Sequence, residues 1–404
     1  MQNIVIDKPY EFVPPDYGTF WPRLLGRFVL PPYLRASHGV DSYELLGVAR
    51  LKASVEAGHG ILLTPNHCRP CDPMVLAHLG FAVGAPIHIM ASWHLFMEGR
   101  FQRWLLQHVG VFSVYREGMD REALKCAIGI LVDAKRPLVL FPEGVVSRSN
   151  DHLNHLMDGT TFIARNAAKQ RAERSLGKVV LHPVAIRYFF LGNLERTIEP
   201  VLEDIERRLS WRPQSGKPMK DRIIKVGEAL LTLKELEYQE KPQEGDIPER
   251  VARLIDHILV PLEQEWVKGK RDADILGRVK ALRAAILPDM VAEKVDEAER
   301  RRRWQELADI YLAQALAKYP PNYFMPEPTP ERLLETVERF EEDLTDQTRV
   351  HRPIHAVIEV GEAFEVPPGR DRGAESDTIM TQVRQQLETM LDALRARRPQ
   401  ARTT

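Results

Sequence analysis

The stretch Gly60-Ile-Leu-Leu-Thr-Pro-Asn-His-Cys-Arg-Pro-Cys-Asp-Pro73 constrains this chain more than any other. Residues 60–64 form an apolar run too short for a helix and closed by Pro65, which predicts a buried strand. Asp72 before Pro73 predicts a helix start, with Asp as N-cap and Pro at the first helical position. Met74, Val75, Leu76, Leu79 and Phe81 supply the apolar side of that helix. His67 therefore falls on a strand-to-helix turn, at the end of a sheet where side chains converge on ligands. The Asp72 carboxylate can fix an imidazole in one tautomer and stabilise the imidazolium that forms. The same two residues also fit a plainer role, as a helix cap and a turn residue. Cys68 and Cys71 add a C-x-x-C pair. Ligands packed so closely in sequence cannot easily surround one zinc ion, and a thioredoxin-like redox site would place its helix differently.

Beyond this turn, short apolar runs alternate with helical stretches. Strands are predicted at 87–91, 111–114, 137–141 and 179–190, and helices at 93–107, 121–134 and 155–174. Residues 43–56 read as a helix leading to the first strand. The pattern is α/β, a mostly parallel or mixed sheet flanked by helices, with an added C-terminal helical region. Helices follow at 194–209 and 247–266, the added region holds charged helices over 272–319 and 329–344 divided by a Pro-rich segment at 319–326, and a last helix covers 379–394. The segments Ile223-Ile-Lys-Val-Gly-Glu-Ala229 and Val357-Ile-Glu-Val-Gly-Glu-Ala363 share a tetrapeptide, an apolar lead-in and a trailing helix. This predicts a partial duplication, each copy a closing strand and helix. The organisation then reads as an arm and interfacial helix over 1–40, a catalytic domain over 41–268, a helical insertion or extension over 269–350, and a second strand-helix unit over 351–404. Sequential elements are usually spatial neighbours. The first copy is therefore expected to close the sheet, and a fragment ending before Lys270 to fold.

The chain has 404 residues and a formal net charge of −1, so it offers no global field for nucleic acid. Three cysteines argue for a reducing compartment rather than a disulfide framework. The N-terminus lacks the basic and apolar regions of a signal peptide. No uncharged apolar run reaches the about 18 residues of a membrane span. Residues 17–35 combine Phe20, Trp21, Leu24, Leu25, Phe28 and Tyr33 with Arg23, Arg27 and Arg35, and Pro31-Pro32 ends the predicted helix. An interfacial helix on anionic lipid and an ordinary core-facing helix both fit that pattern.

Asn66-His67-x4-Asp72-Pro73 is followed, in order, by Gly110-Val-Phe-Ser-Val-Tyr-Arg116, Phe141-Pro-Glu-Gly144 and Val180-Leu-His-Pro-Val-Ala-Ile186. Together these blocks resemble the glycerolipid (lysophosphatidic acid and glycerol-3-phosphate) acyltransferase family over roughly residues 40 to 230, since motifs gain weight from their structural context. The resemblance implies His67 as general base on a hydroxyl, with Asp72 orienting it. It also implies Arg116, Glu143, Gly144 and Arg148 around a glycerol phosphate acceptor, and Pro183 beside the acyl chain. The reaction implied is O-acyl transfer from coenzyme A or acyl carrier protein, with no metal or bound cofactor, by a cytoplasmic protein peripheral at the inner face of a membrane. The family's third block commonly continues with Thr-Arg where this chain has Val145-Val146. Two rivals stand beside this reading. A hydrolase could use the same pair on water, although no Gly-x-Ser-x-Gly turn is present. A lipid-binding protein could keep the fold without catalysis.

Overall fold

The computed structural model describes residues 5–272, 274–320, 323, 327–347, 349–369 and 378–398. In chain order the elements are α1 (Phe20–Phe28), α2 (Leu30–His38), β1 (Val40–Leu46), α3 (Val48–Glu56), β2 (Gly60–Pro65), α4 (Asp72–Ala82), β3 (His88–Ser92), α5 (Arg100–His108), β4 (Val111–Val114), α6 (Arg121–Asp133), β5 (Leu138–Val139), α7 (Gly159–Glu173) and β6 (Val179–Phe190). There follow α8 (Leu194–Arg208), α9 (Met219–Gln239), α10 (Ile247–Val267), α11 (Ile275–Val291), α12 (Glu297–Leu316), α13 (Pro330–Thr345), β7 (Ile354–Val360), β8 (Phe364–Glu365) and α14 (Thr378–Ala396). They form two compact units. A sheet unit comprises Glu11–Tyr115, Asp120–Gly192 and Val350–Thr404, and a helical unit comprises Met1–Tyr10, Arg116–Met119 and Asn193–Arg349.

The sheet has eight strands in the order β1-β7-β6-β2-β5-β3-β4, with β8 pairing β6. It is mixed. β6 runs antiparallel to β7 and β8, whereas the other ladders are parallel. Side chains alternate across a strand, and β6 shows the consequence. Val179, Leu181, Ala185 and Phe189 enter the apolar cores that α7 and α14 help to build. His182 and Tyr188 point the other way, to Ser54 of α3 and Asp72 of α4. Pro183 sits between the β7 and β8 ladders, a position where its missing N–H removes no ladder bond, and its carbonyl accepts from Gly361 N–H at 2.8 Å. Along the β4 edge, Val13 and Ser113 exchange hydrogen bonds of 2.8 and 3.0 Å, so the N-terminal arm covers an exposed strand.

Several expectations are corrected. Residues 43–56 are not one helix, because β1 occupies the first part. The first helix does stop short of Pro31-Pro32, at Phe28, but the prolines then stand in the first turn of a second helix, α2, where Pro lacks only an N–H that needs no intrahelical partner. The two Val-Gly-Glu-Ala copies are not a duplication. The first lies inside α9, with Val226 in its buried face, and the second ends β7. Since β7 lies between β1 and β6, the sheet is closed by residues 354–360 and not by residues 223–229. The sheet unit is accordingly built from separate stretches of chain, of which Val350–Thr404 is the last. Part of the 319–326 segment lies outside the described residues.

In the helical unit, α10, α11 and α12 share a core of Leu254, Leu259, Leu282, Ile286, Leu307 and Ile310. Buried ion pairs join successive helices. Arg222 of α9 reaches Glu206 of α8 at 2.9 Å, and Arg250 of α10 reaches Glu235 of α9 at 2.7 Å. Among the described residues, no helix is long and apolar enough to cross a membrane.

Candidate active site

The site forms where β2 stops and β6 continues. β2 pairs with β6 only as far as Pro65 opposite Val184, which leaves the backbone of Ile186 and Tyr188 facing the same edge without a strand. Two asparagine side chains take its place. Asn66 Oδ1 accepts from Ile186 N–H at 2.7 Å and its Nδ2 donates to Ile186 O at 3.0 Å. Asn150 does the same to Tyr188, at 2.7 and 2.6 Å. The loops that follow β2 and β5 are thereby anchored to one rigid strand.

His67 leaves this anchored turn with its Nδ1 2.9 Å from Asp72 Oδ2. An ionised carboxylate only accepts, so Nδ1 carries the proton and Nε2 presents a lone pair. The imidazole is stacked on Phe141, with ring centroids 4.0 Å apart. Its side chain is 14% exposed, and that of Asp72 is 0%. Asp72 is the first residue of α4, yet its carboxylate is not used as a helix cap. Oδ2 accepts from Arg69 N–H at 2.9 Å as well as from His67, and Oδ1 accepts from the Tyr188 hydroxyl at 2.7 Å. The cap reading is thus replaced by a four-residue arrangement in which every Asp72 contact fixes its direction toward His67.

Neither cysteine stands open to solvent. Cys68 Sγ lies 3.8 Å from Asp72 Oδ1, and Cys71 Sγ donates to Tyr188 Oη at 3.4 Å. Burial pushes the Cys71 thiol up to about 12, so it remains a protonated donor. Burial also holds the Tyr188 phenol well above its usual range, with the Asp72 charge acting in the same direction.

Glu143 departs from its expected role. It is wholly buried, with Oε1 accepting from His67 N–H at 2.7 Å and Oε2 from Asn154 N–H at 3.0 Å. Both oxygens therefore serve the backbone of the site rather than facing an acceptor. Burial raises its carboxyl to about 7 against the opposing pull of those two N–H groups. Gly144 has φ +69°, a conformation that favours glycine, and it closes a turn through its N–H to Phe141 O at 3.1 Å. On the same loop Ser147 N–H donates to His67 O at 2.7 Å, and half-buried Arg148 follows at φ 57°. Pro183 lies inside β6.

Arg116, expected at the acceptor, lies just past the edge strand β4. β2 and β5, which precede His67 and Glu143, are adjacent, whereas β4 is the far edge strand with β3 between. Two residues past β4, Arg116 belongs to the helical unit. Sequence reasoning missed Tyr188 and Asn150. Tyr188 continues the even-numbered face of the predicted 179–190 strand, a periodic signal that was present, while no local pattern marked Asn150.

Residues 49–187 match the family model described as Acyltransferase. That is less than half of the 404-residue chain. No curated protein matches the chain. The matched segment runs from α3 to β6 and includes His67, Asp72, Asn66 and Asn150, though not Tyr188. Residues 49–187 are therefore similar to an acyltransferase domain, and they hold the His67–Asp72 pair at the strand end that closes against β6.

Proposed function

We propose that this protein transfers a fatty acyl group from a thioester, on coenzyme A or acyl carrier protein, to a hydroxyl of a lysophospholipid or glycerol phosphate. The observation that carries the reading is the tautomer forced on His67 by Asp72, which leaves Nε2 as a proton acceptor beside a partly open face. Nε2 takes the hydroxyl proton while the oxygen attacks the thioester carbonyl. Collapse of the tetrahedral intermediate breaks the carbon–sulfur bond, and the imidazolium returns its proton to the departing sulfur. Asp72 supports the imidazolium between these two transfers. The acceptor attacks directly, so no acyl-enzyme forms, and every step uses groups of the protein or its substrates.

A membrane surface is the proposed source of the lipid substrates. Phe20, Leu24 and Phe28 recur every fourth residue on α1 and are 65%, 37% and 65% exposed, a stripe that a water-soluble helix would ordinarily bury. Pro22 and Gly26 face inward, and a side chain at Gly26 would meet Phe81. The stripe continues through Trp21 and Trp104, 5.0 Å apart, to exposed Phe101. Arg23 and Arg27 on the same helix suit anionic headgroups.

The test is incubation of purified protein with labelled acyl-CoA or acyl carrier protein thioester and a panel of lysophospholipids and glycerol phosphate. Label should appear in an ester product, and His67→Ala should lower turnover by roughly 10²- to 10⁴-fold, the usual contribution of a positioned base. Release of free fatty acid with every acceptor would establish the hydrolase instead. No turnover, with lipid retained on the protein, would favour the binding protein.

A further inference from the structure

The loop that follows β5 grips His67 at its N–H, its carbonyl and its ring. Glu143 Oε1 accepts the N–H at 2.7 Å, Ser147 N–H donates to the carbonyl at 2.7 Å, and the Phe141 ring lies against the imidazole. Strand pairing sets this up. Leu63 of β2 lies in register with Val139 of β5, and Leu140 N–H donates to Leu63 O at 3.1 Å, so the chain leaves both strands side by side. Phe141 precedes Pro142, which restricts its backbone to extended conformations. Its carbonyl accepts from Gly144 N–H at 3.1 Å, and the next carbonyl, of Pro142, accepts from Met157 N–H at 2.9 Å. The half-buried ring is therefore carried by backbone with little freedom.

The two rings are close to parallel, with planes 25° apart and centroids at 4.0 Å. The imidazole thus meets the face of the phenyl group, where the aromatic quadrupole is negative. A neutral imidazole gains dispersion from this contact, and an imidazolium gains a cation–π attraction in addition. The contact favours the charged form over the resting one, which is the condition for lowering a barrier rather than only adding stability. Asp72 meets the same charge from a different direction, at the Nδ1 edge of the ring, 2.9 Å away.

We propose that Phe141 is a positioning residue whose ring face stabilises the His67 imidazolium, so that the charge formed in proton transfer is met by a carboxylate at one edge and an aromatic face beside it. The proposal rests on the acyl-transfer reading for the proton that Nε2 takes up, although water in place of the acceptor hydroxyl would make the same demand.

The test follows thiol release from an acyl thioester with hydroxyl acceptors and with water alone, and identifies the product as ester or free fatty acid. Position 141 of the full chain carries phenylalanine, its mono-, di- and trifluoro forms, or leucine. Fluorine withdraws charge from the ring face and barely alters its shape, so packing is held while the cation–π attraction fades. Turnover should fall stepwise with each fluorine at constant Tm. Phe141→Leu should lie roughly 2- to 30-fold below wild type, with KM little changed. A flat fluorine series overturns the proposal, because the ring would then only pack against His67. So does a wild-type rate in folded Phe141→Leu, or a change confined to KM, which would put the ring against substrate. Ester product with a flat series removes the proposal alone. Free fatty acid as the only product, with the stepwise fall intact, keeps the role of Phe141 and removes the acyl-transfer reading. No thiol release from the wild type removes both.

Discussion

Asp72→Asn separates the chemistry of the His67–Asp72 pair from its architecture. Oδ2 receives two N–H groups, from Arg69 and from His67 Nδ1, so an asparagine must turn its carbonyl to that side. Its amide NH2 then faces Tyr188 Oη, which can rotate its own proton away and accept. The turn and the tautomer survive, and the variant loses chiefly the negative charge that meets the imidazolium. Opposite charges about 4 Å apart interact by about 4 kcal/mol at an effective dielectric near 20, the value suited to a site with one partly exposed partner. Proton transfer is incomplete in the transition state, so the barrier should rise by about 2–4 kcal/mol, a roughly 30- to 1000-fold loss of turnover. The assay is thiol release from an acyl thioester in the presence of a hydroxyl acceptor, with Tm measured in parallel by circular dichroism. Turnover within a few-fold of wild type in a fully folded variant would refute the role given to Asp72. A large fall in Tm with normal turnover would return Asp72 to a purely structural part.

Tyr188→Phe should leave Asp72 Oδ1, among the described residues, with only the Cys68 thiol at 3.8 Å. Stability should drop by about 1–3 kcal/mol, and turnover should fall less than in Asp72→Asn because the charge remains; a rate equal to wild type would show that the hydroxyl does not position the pair. Glu143 titrates near 7 when folded and near 4.3 when unfolded, so the folded state holds the extra proton between these values. Its contribution therefore lowers stability as pH rises through that window and is constant above it. In Glu143→Gln that slope should vanish, as read from denaturant melts at pH 5 and pH 7.5, and the amide should leave His67 N–H or Asn154 N–H unpaired at a cost of about 1–3 kcal/mol. A fragment ending before Lys270 should aggregate, because it lacks the strand between β1 and β6, and a soluble, active fragment would contradict the sheet order.

The catalytic turn was legible because its determinants are local. A short apolar run stopped by Pro65, a Pro73 that can only start a helix, and a histidine and an aspartate between them specify a strand, a turn and a helix whatever surrounds them. The 179–190 strand was legible for a similar reason, being one long apolar run. The closing strand was not. Val-Gly-Glu-Ala is a helix in α9 and a strand end in β7, since four residues carry too little preference to resist their setting: Val226 packs within the helical unit, and Val360 completes a ladder with β6. The choice between the two readings of Asp72, and the place of Glu143, also needed the fold. A carboxylate before a proline and a carboxylate before a glycine look like a cap and a ligand in sequence. Only the packing of β2 and β5 side by side, next to a strand that outruns them, turns the first toward His67 and seals the second beneath its backbone. Local chemistry determined which residues could act, and long-range strand pairing decided which of them meet.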